Sequence, residues 1–217
     1  MHSVETIEPL LRERLAGTLP GVEVQLRFAS GLPRKGWKPG VYPSDARVAA
    51  ALLLLYPGPE GLTIPLTVRA SHLRRHAGQI SLPGGAAEAG ESLEAAALRE
   101  AHEEIGVPSE SVRILGSLTP VYVLVSGFTL NPIVGITDTR PDFRAAAHEV
   151  DQILEVSLDD VQDASRIRTG TRIREGVAVE YPYFDLHGHQ VWGATAMILG
   201  EFISLLQSRG GHSEIAD

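Results

Sequence analysis

Cysteine is absent from the 217 residues of this chain. Disulfides, thiolate metal sites, iron–sulfur clusters and a cysteine nucleophile are therefore excluded. Any metal ion must be bound through oxygen or imidazole, and such ligands favour hard divalent cations.

Long apolar runs are also lacking. The longest, from Val48 to Tyr56, has the length of a buried strand and is much shorter than the roughly 18 to 20 residues that cross a bilayer. The first residues include early acids and show no signal-peptide pattern, and the final EIAD is not a targeting address. We therefore expect a cytoplasmic protein with no membrane partner.

Positive charge is in deficit, with 19 Lys and Arg residues against 27 Asp and Glu, a formal net charge of −8. This balance argues against nonspecific binding to nucleic acid. An acidic protein that acts on phosphates must concentrate positive charge locally, and bound Mg²⁺ does this well.

Apolar periodicity predicts an amphipathic helix over residues 3–18, and the segment from Pro20 to Pro43 reads as an irregular loop with a basic cluster at Arg34, Lys35 and Lys38. We expect one domain at 46–208, an N-terminal helix and irregular extension at 1–45, and a tail at 209–217. Strands and helices do not alternate strictly, which favours a mixed sheet with helices on both faces. The predicted elements of the domain are strands at Ala46–Tyr56, Leu62–Arg69, Val112–Leu118, Val121–Val125 and Leu130–Thr137, helices at Ser92–Ile105, Leu158–Asp163 and Ala194–Gln207, and a hairpin around Ile173–Leu186.

The helix after Ser92 concentrates acidic residues on one face. Glu100, Glu103 and Glu104 stand at positions i, i+3 and i+4, where like charges repel each other unless a cation binds between them. Oxygen ligands at this spacing suit Mg²⁺ or Mn²⁺. Arg99 is placed to reach Glu103 one turn on and to orient its carboxylate. Taken alone, the three glutamates are more typical of a solvated acidic surface than of a metal site.

The complete spacing resembles the Nudix box, G-x5-E-x7-R-E-U-x-E-E-x-G-U, where U is apolar. Every fixed position matches, although Ala101 is smaller than the usual aliphatic residue. The matching residues are Gly85, Glu91, Arg99, Glu100, Ala101, Glu103, Glu104, Gly106 and Val107. The resemblance implies an α/β/α sandwich and metal-dependent hydrolysis of a nucleoside diphosphate linked to another moiety.

The same resemblance assigns roles to residues of this chain. Glu100 and Glu104 are expected to be the principal metal ligands, Glu103 also binds, and the Gly85 region offers a carbonyl oxygen. Glu91 and Arg99 are expected to support them. Outside the box, Glu149 matches the place of an outlying glutamate that acts as ligand or general base in many relatives, and it could equally begin a surface turn.

The segment before the box resembles the signature of the coenzyme A pyrophosphatase subgroup, L-L-T-x-T-[SA]-x3-R-x3-G-x3-F-P-G-G. The matching positions are Leu66, Thr67, Ala70, Arg74, Gly78, Pro83, Gly84 and Gly85. The departures are Pro65, Arg69 and Leu82, which stand where the signature has Leu, Thr and Phe. The resemblance implies that coenzyme A or a derivative is cleaved to 3′,5′-ADP and 4′-phosphopantetheine.

A basic group lies just ahead of the box, at Arg74, Arg75 and His76, and its side chains suit phosphate oxygens. With Gly78 and Gly84 they are the expected substrate-binding residues, although the basic side chains could instead pair with the protein's own acids. Trp192 is expected to fill core rather than to stack on adenine.

Other functions stay open. A Nudix hydrolase acting on ADP-ribose or another nucleoside diphosphate derivative is the closest alternative, and a non-catalytic nucleotide sensor is a second. A homodimer is possible. No phosphate-binding P-loop, G-x-S-x-G nucleophile elbow or H-E-x-x-H zinc motif occurs in the sequence.

Overall fold

A computed structural model of the protein describes residues 3–30, 38–72, 78–174 and 176–207. Within these ranges two 3₁₀ turns, Ser109–Ser111 and Ala164–Arg166, accompany the α-helices. The helices are α1 (Val4–Ala16), α2 (Gly21–Leu26), α3 (Leu93–Ile105), α4 (Leu158–Gln162) and α5 (Ala194–Gln207).

The strands form one large mixed sheet and one small antiparallel sheet. They are β1 (Arg47–Gly58), β2 (Gly61–Arg69), β3 (Ile80–Ser81), β4 (Gly84–Ala86), β5 (Arg113–Ser117), β6 (Val121–Val123), β7 (Phe128–Ile136), β8 (Val150–Ser157), β9 (Ile167–Arg174), β10 (Val177–Leu186) and β11 (His189–Trp192). The large sheet runs β3-β2-β1-β7-β5, with β4 beside β1, β6 beside β7 and β8 beside β2. The small sheet has the order β11-β10-β9.

Strand β1 lies at the centre and runs parallel to β7, while it pairs antiparallel with β2 and β4. Its apolar run is continuous because both faces are covered. Leu52 and Leu54 pack toward α3, whereas Leu53 and Leu55 belong to the cluster that contains α1 and α5. The predicted α/β/α sandwich with a mixed sheet is confirmed.

The N-terminal helices pack on the domain. Ile7 and Leu11 of α1 are fully buried in the core. The prediction of an irregular loop from Pro20 to Pro43 is wrong over α2, a short helix whose Gln25 donates to the buried Glu201 of α5 at 2.8 Å. This polar contact and the apolar residues of α2 hold the segment in place. Arg34 and Lys35 lie outside the described residues, and Lys38 is exposed.

Four strands, β3, β4, β8 and β11, were not predicted. The hairpin expected around residues 173–186 begins earlier, at Ile167, and gains β11 as a third strand. Strand β8 pairs with β2, and the register shifts between Val68 and Arg69 so that Asp151 has no partner across the pair. This irregularity interrupts the alternation of apolar and polar residues that would reveal a strand. Within the described ranges, no helix combines the length and apolarity needed to cross a membrane.

Candidate active site

Helix α3 has well-defined ends. The Ser92 hydroxyl accepts from the backbone N–H of Ala95 at 3.2 Å, and Gly106 ends the helix in the left-handed conformation at φ 75°. Ala97, Ala101 and Ile105 are buried against β1 and β7. The small side chain at position 101 therefore faces the sheet, and Glu100 and Glu104 lie on the neighbouring face of the helix, next to β4.

Arg99 ties the acidic face together. Its Nε donates to Glu91 Oε1 at 2.9 Å, and its Nη1 donates to Glu100 Oε1 at 2.8 Å and to Glu103 Oε2 at 3.2 Å. Its Nη2 donates to the Ala86 carbonyl at 3.0 Å and to Glu91 Oε2 at 3.1 Å. The Arg99 guanidinium is the largest cause that holds the pKa of Glu91 below its usual value. The structure thus brings Arg99 together with Glu91, Glu100 and Glu103.

Two glycines of β4 allow close contacts, Gly85 with helix α3 and Gly84 with strand β1. A Cβ on Gly85 would lie 2.5 Å from Glu100 Cδ, and one on Gly84 would lie 2.6 Å from Ala51 Cα. Gly84 N–H also donates to Glu104 Oε2 at 3.2 Å. Because Gly85 carries no side chain, β4 and the Glu100 carboxylate share a space that a larger residue would fill, and Gly84 likewise lets β4 lie close to β1.

Glu104 is an acidic residue with only 5% of its surface exposed. Burial, together with the charges of Glu100 and Glu149, raises its pKa to about 7 against the opposing effects of the Gly84 N–H and Arg69. Burial is also the main cause that raises the pKa of Glu100, against the opposing effect of Arg99. Among the described residues, the acidic side chains of the site therefore carry more negative charge than its arginines neutralise.

Glu149 joins this group from another part of the chain. It immediately precedes β8, and its carbonyl accepts from Ala70 N–H at 2.8 Å. His148 Nε2 lies 3.6 Å from its carboxylate, at the exposed edge of the site. The charge of Glu149 raises the pKa of both Glu100 and Glu104, so the outlying glutamate lies near the helix face.

The donor set fits a divalent cation that is shared with a ligand. Among the described residues, no three acidic or imidazole side chains converge closely enough to enclose a metal ion. Mg²⁺ usually keeps several waters and takes only one or two protein carboxylates together with substrate phosphates, so a closed cage is not required. The buried Glu104, beside Glu100 and Glu149, offers hard oxygen ligands and a charge surplus that a cation would relieve.

The expected substrate-binding residues are only partly described. Arg74, Arg75 and His76 lie outside the described residues. Gly78 has a positive φ of 70°, has open space where a Cβ would stand, and donates its N–H to the Arg69 carbonyl at 2.9 Å. Trp192, expected in the core, is instead half-buried with the Arg172 guanidinium 4.5 Å from its ring centre.

Sequence reasoning missed Arg69, which it treated only as a departure from a signature. Strand alternation was the signal available: Arg69 follows Thr67 by two residues at the end of β2 and so shares its face. Ile153, the partner of Thr67, packs with the α3 cluster. This places Arg69 on the face that carries the glutamates.

Comparison with known proteins agrees with the geometry. A family model described as the NUDIX domain matches residues 46–172. The chain is 40% identical over 162 residues to the uncharacterized Nudix hydrolase NudL of Enterobacter sp. (strain 638), covering 71% of this chain and 81% of that protein. NudL of Salmonella newport (strain SL254) is 40% identical over 159 residues, with 72% and 81% covered. A crystal structure of the Nudix hydrolase RenU from M. smegmatis shares 28% identity, covers 54% of this chain and 74% of its own, and has a TM-score of 0.47. The chain belongs to the Nudix hydrolase family.

Proposed function

We propose that the protein hydrolyses the diphosphate bond of coenzyme A or one of its derivatives, giving 3′,5′-ADP and 4′-phosphopantetheine, with Mg²⁺ or Mn²⁺ bound at the α3 glutamates. The observation that carries the hydrolytic part is Glu104, a buried carboxylate held by Gly84 N–H and surrounded by the charges of Glu100 and Glu149. The substrate rests on the signature positions between Leu66 and Gly85.

Each residue has a defined task in this proposal. Glu100 and Glu104 hold the cation, with Glu103 at the exposed end of the same face and the Gly85 region beside them. Arg99 and Glu91 fix the carboxylate positions. When bound, the divalent cation would screen the diphosphate and lower the pKa of a water molecule.

Hydrolysis adds one water across the P–O–P linkage. The water oxygen forms a bond to one phosphorus, the bridging oxygen leaves with the other phosphate, and a general base accepts the proton. We assign Glu149 to this role because it is a partly exposed carboxylate on a different element from the other glutamates. In this role Glu149 would act on a water that the α3 carboxylates do not hold.

The substrate is tested by incubating the protein with Mg²⁺ or Mn²⁺ and separating the products from coenzyme A, ADP-ribose, NADH and dinucleoside polyphosphates. The proposal predicts 3′,5′-ADP and 4′-phosphopantetheine from coenzyme A at the highest kcat/KM of the panel. Cleavage of ADP-ribose with coenzyme A left intact would favour the alternative nucleoside diphosphate activity. Nucleotide binding with no hydrolysis of any compound would favour the sensor function.

We further propose a division of the chain into residues 1–45, a Nudix domain at 46–208 and a tail at 209–217. Residues matched by the family model begin at 46, in agreement with the start of the second unit. The burial of Ile7 and Leu11 shows that the first unit contributes to the domain core.

A further inference from the structure

The guanidinium of Arg99, which joins the glutamates of the acidic face, has no N–H donor left for a substrate. The Nε and both Nη atoms of Arg99 donate to Glu91, Glu100, Glu103 and the Ala86 carbonyl. A diphosphate carries several negative charges, and it must approach a site rich in carboxylates. A further cationic side chain beside the glutamates would reduce this repulsion, in addition to any bound metal ion.

Arg69 is placed to supply that charge. Its guanidinium forms no hydrogen bond or ion pair with any residue that the structure describes, although the chain is acidic and most of its described arginines are paired. Its backbone is fixed, since its N–H donates to the Gln79 carbonyl and its own carbonyl accepts from Gly78, both at 2.9 Å. The side chain therefore extends from a rigid position with its donors available.

Arg69 lies close to Glu149 in the sheet and on the same face as the glutamates of α3. Its Cα pairs with that of Val150, the residue after Glu149, and Ala70 N–H donates to the Glu149 carbonyl. The extra residue at the register shift, Asp151, lies on β8 and not on β2. Side chains along β2 therefore keep alternating between the two faces, and Arg69 shares the face of Thr67. Its charge lowers the pKa of Glu104 without an ion pair between them, which supports this placement.

We propose that the Arg69 guanidinium binds non-bridging oxygens of the substrate's diphosphate group and sets affinity for it. The planar, permanently charged fork of arginine matches phosphate oxygens in a bidentate manner. The proposal rests on the proposed function for the identity of the natural substrate. It predicts an effect on every ligand that carries a diphosphate.

The test compares the wild-type protein with R69T and R69K in two measurements. The first is the affinity for imidodiphosphate, a non-hydrolysable diphosphate, measured by calorimetry with excess Mg²⁺. The second is KM for coenzyme A and for 3′-dephospho-coenzyme A. R69T should weaken imidodiphosphate binding about 10- to 100-fold and raise both KM values by similar factors, as expected for one charge-assisted interaction, while R69K should lie between R69T and the wild type. The control is R27T, which removes an exposed arginine that pairs only with Glu23 among the described residues.

Each other outcome has a defined meaning. Wild-type affinity and KM in R69T would overturn the proposal, and so would a lower Tm with unchanged affinity, which marks a purely structural residue. A penalty confined to coenzyme A would assign Arg69 to the 3′-phosphate and overturn the diphosphate assignment. If the wild type leaves coenzyme A intact but binds imidodiphosphate through Arg69, the substrate proposal fails and the Arg69 site stands.

Discussion

The carboxyl group of Glu100 occupies the space that a side chain on residue 85 would need, because a Cβ built on Gly85 lies 2.5 Å from Glu100 Cδ. Strand β4 and helix α3 are therefore fitted to each other at the point where the metal ligands are expected. The absence of a side chain at position 85 is a geometric requirement of the site.

Replacing Gly85 by alanine should displace the Glu100 carboxylate and lower kcat on the order of 100-fold, the effect expected when a group at the reacting centre moves by about 1 Å. The far-UV spectrum should stay that of the wild type, since the clash is with a side chain. The matched control is G17A, at the end of α1, where a Cβ would find only ordinary contacts at 3.5 and 3.7 Å. Full activity in G85A would contradict the fit described above.

Replacing Arg99 by lysine keeps a positive charge but removes the planar fork that contacts Glu91, Glu100 and Glu103 together. We expect Mn²⁺ affinity and activity to fall about 10- to 100-fold, as is common when a residue that orients metal ligands is lost. Calorimetric titration with Mn²⁺ measures the first effect directly. The control R27K, at an exposed pair with Glu23, should match the wild type. If R99K also matched the wild type, the contacts of Arg99 with the glutamates would not orient the metal ligands.

The raised pKa of Glu104 makes the stability of the metal-free protein depend on pH. With a folded pKa of about 7 and an ordinary value of 4.5, the folded state holds more protons than the unfolded state between these values. Stability should therefore fall as pH rises from about 4.5 to 7 and then level off, by at most about 3 kcal/mol.

Thermal unfolding in EDTA across this range, for the wild type and E104Q, measures the effect. E104Q should lose most of this part of the pH dependence, and Mn²⁺ at pH 8 should stabilise the wild type much more than the variant. If the stability of the two proteins changed with pH in the same way, burial beside Glu100 and Glu149 would not raise the pKa of Glu104.

Glu201 is a fully buried carboxylate that joins three parts of the chain. It accepts from Gly21 N–H at 3.1 Å, from Gln25 Nε2 at 2.8 Å and from the Thr119 hydroxyl at 2.6 Å. E201A would leave these donors unsatisfied and should lower the free energy of unfolding by about 2 to 4 kcal/mol. Urea denaturation checks this value, with E13A at an exposed position as the control, and a loss below 0.5 kcal/mol would mean that solvent replaces the network.

The parts of the fold that sequence predicted best are those with an uninterrupted period. The predicted bounds of α5, Ala194–Gln207, are those observed, and α3, β1 and β2 differ by one or two residues at their ends. Strand β8 was missed because the register irregularity at Asp151 breaks its alternation. Helix α2 was missed because its six residues, which begin with a glycine directly after a proline, show too little periodicity.

The candidate site likewise contains residues that the sequence could predict and one that it could not. The glutamates of α3 were predictable because a helix fixes the relation between residues three and four apart. The place of Arg69 depends on which strand pairs with β2 and in which register, and this information is distributed over distant segments. Comparison with a signature could only mark Arg69 as a mismatch, whereas the sheet shows it beside Glu149.

The most direct test of the metal-dependent hydrolysis proposed for α3 is the turnover of coenzyme A by the wild type and E104Q with saturating Mn²⁺. Substituting an amide for this ligand should lower kcat on the order of 1,000-fold, in line with the several kcal/mol that a correctly held cation contributes. The expected result is release of 3′,5′-ADP and 4′-phosphopantetheine by the wild type and almost none by E104Q. A kcat of E104Q within about threefold of the wild-type value would contradict the assignment of hydrolysis to this helix. Such a change corresponds to less than about 1.4 kcal/mol of activation free energy, the amount that gives a tenfold change in rate.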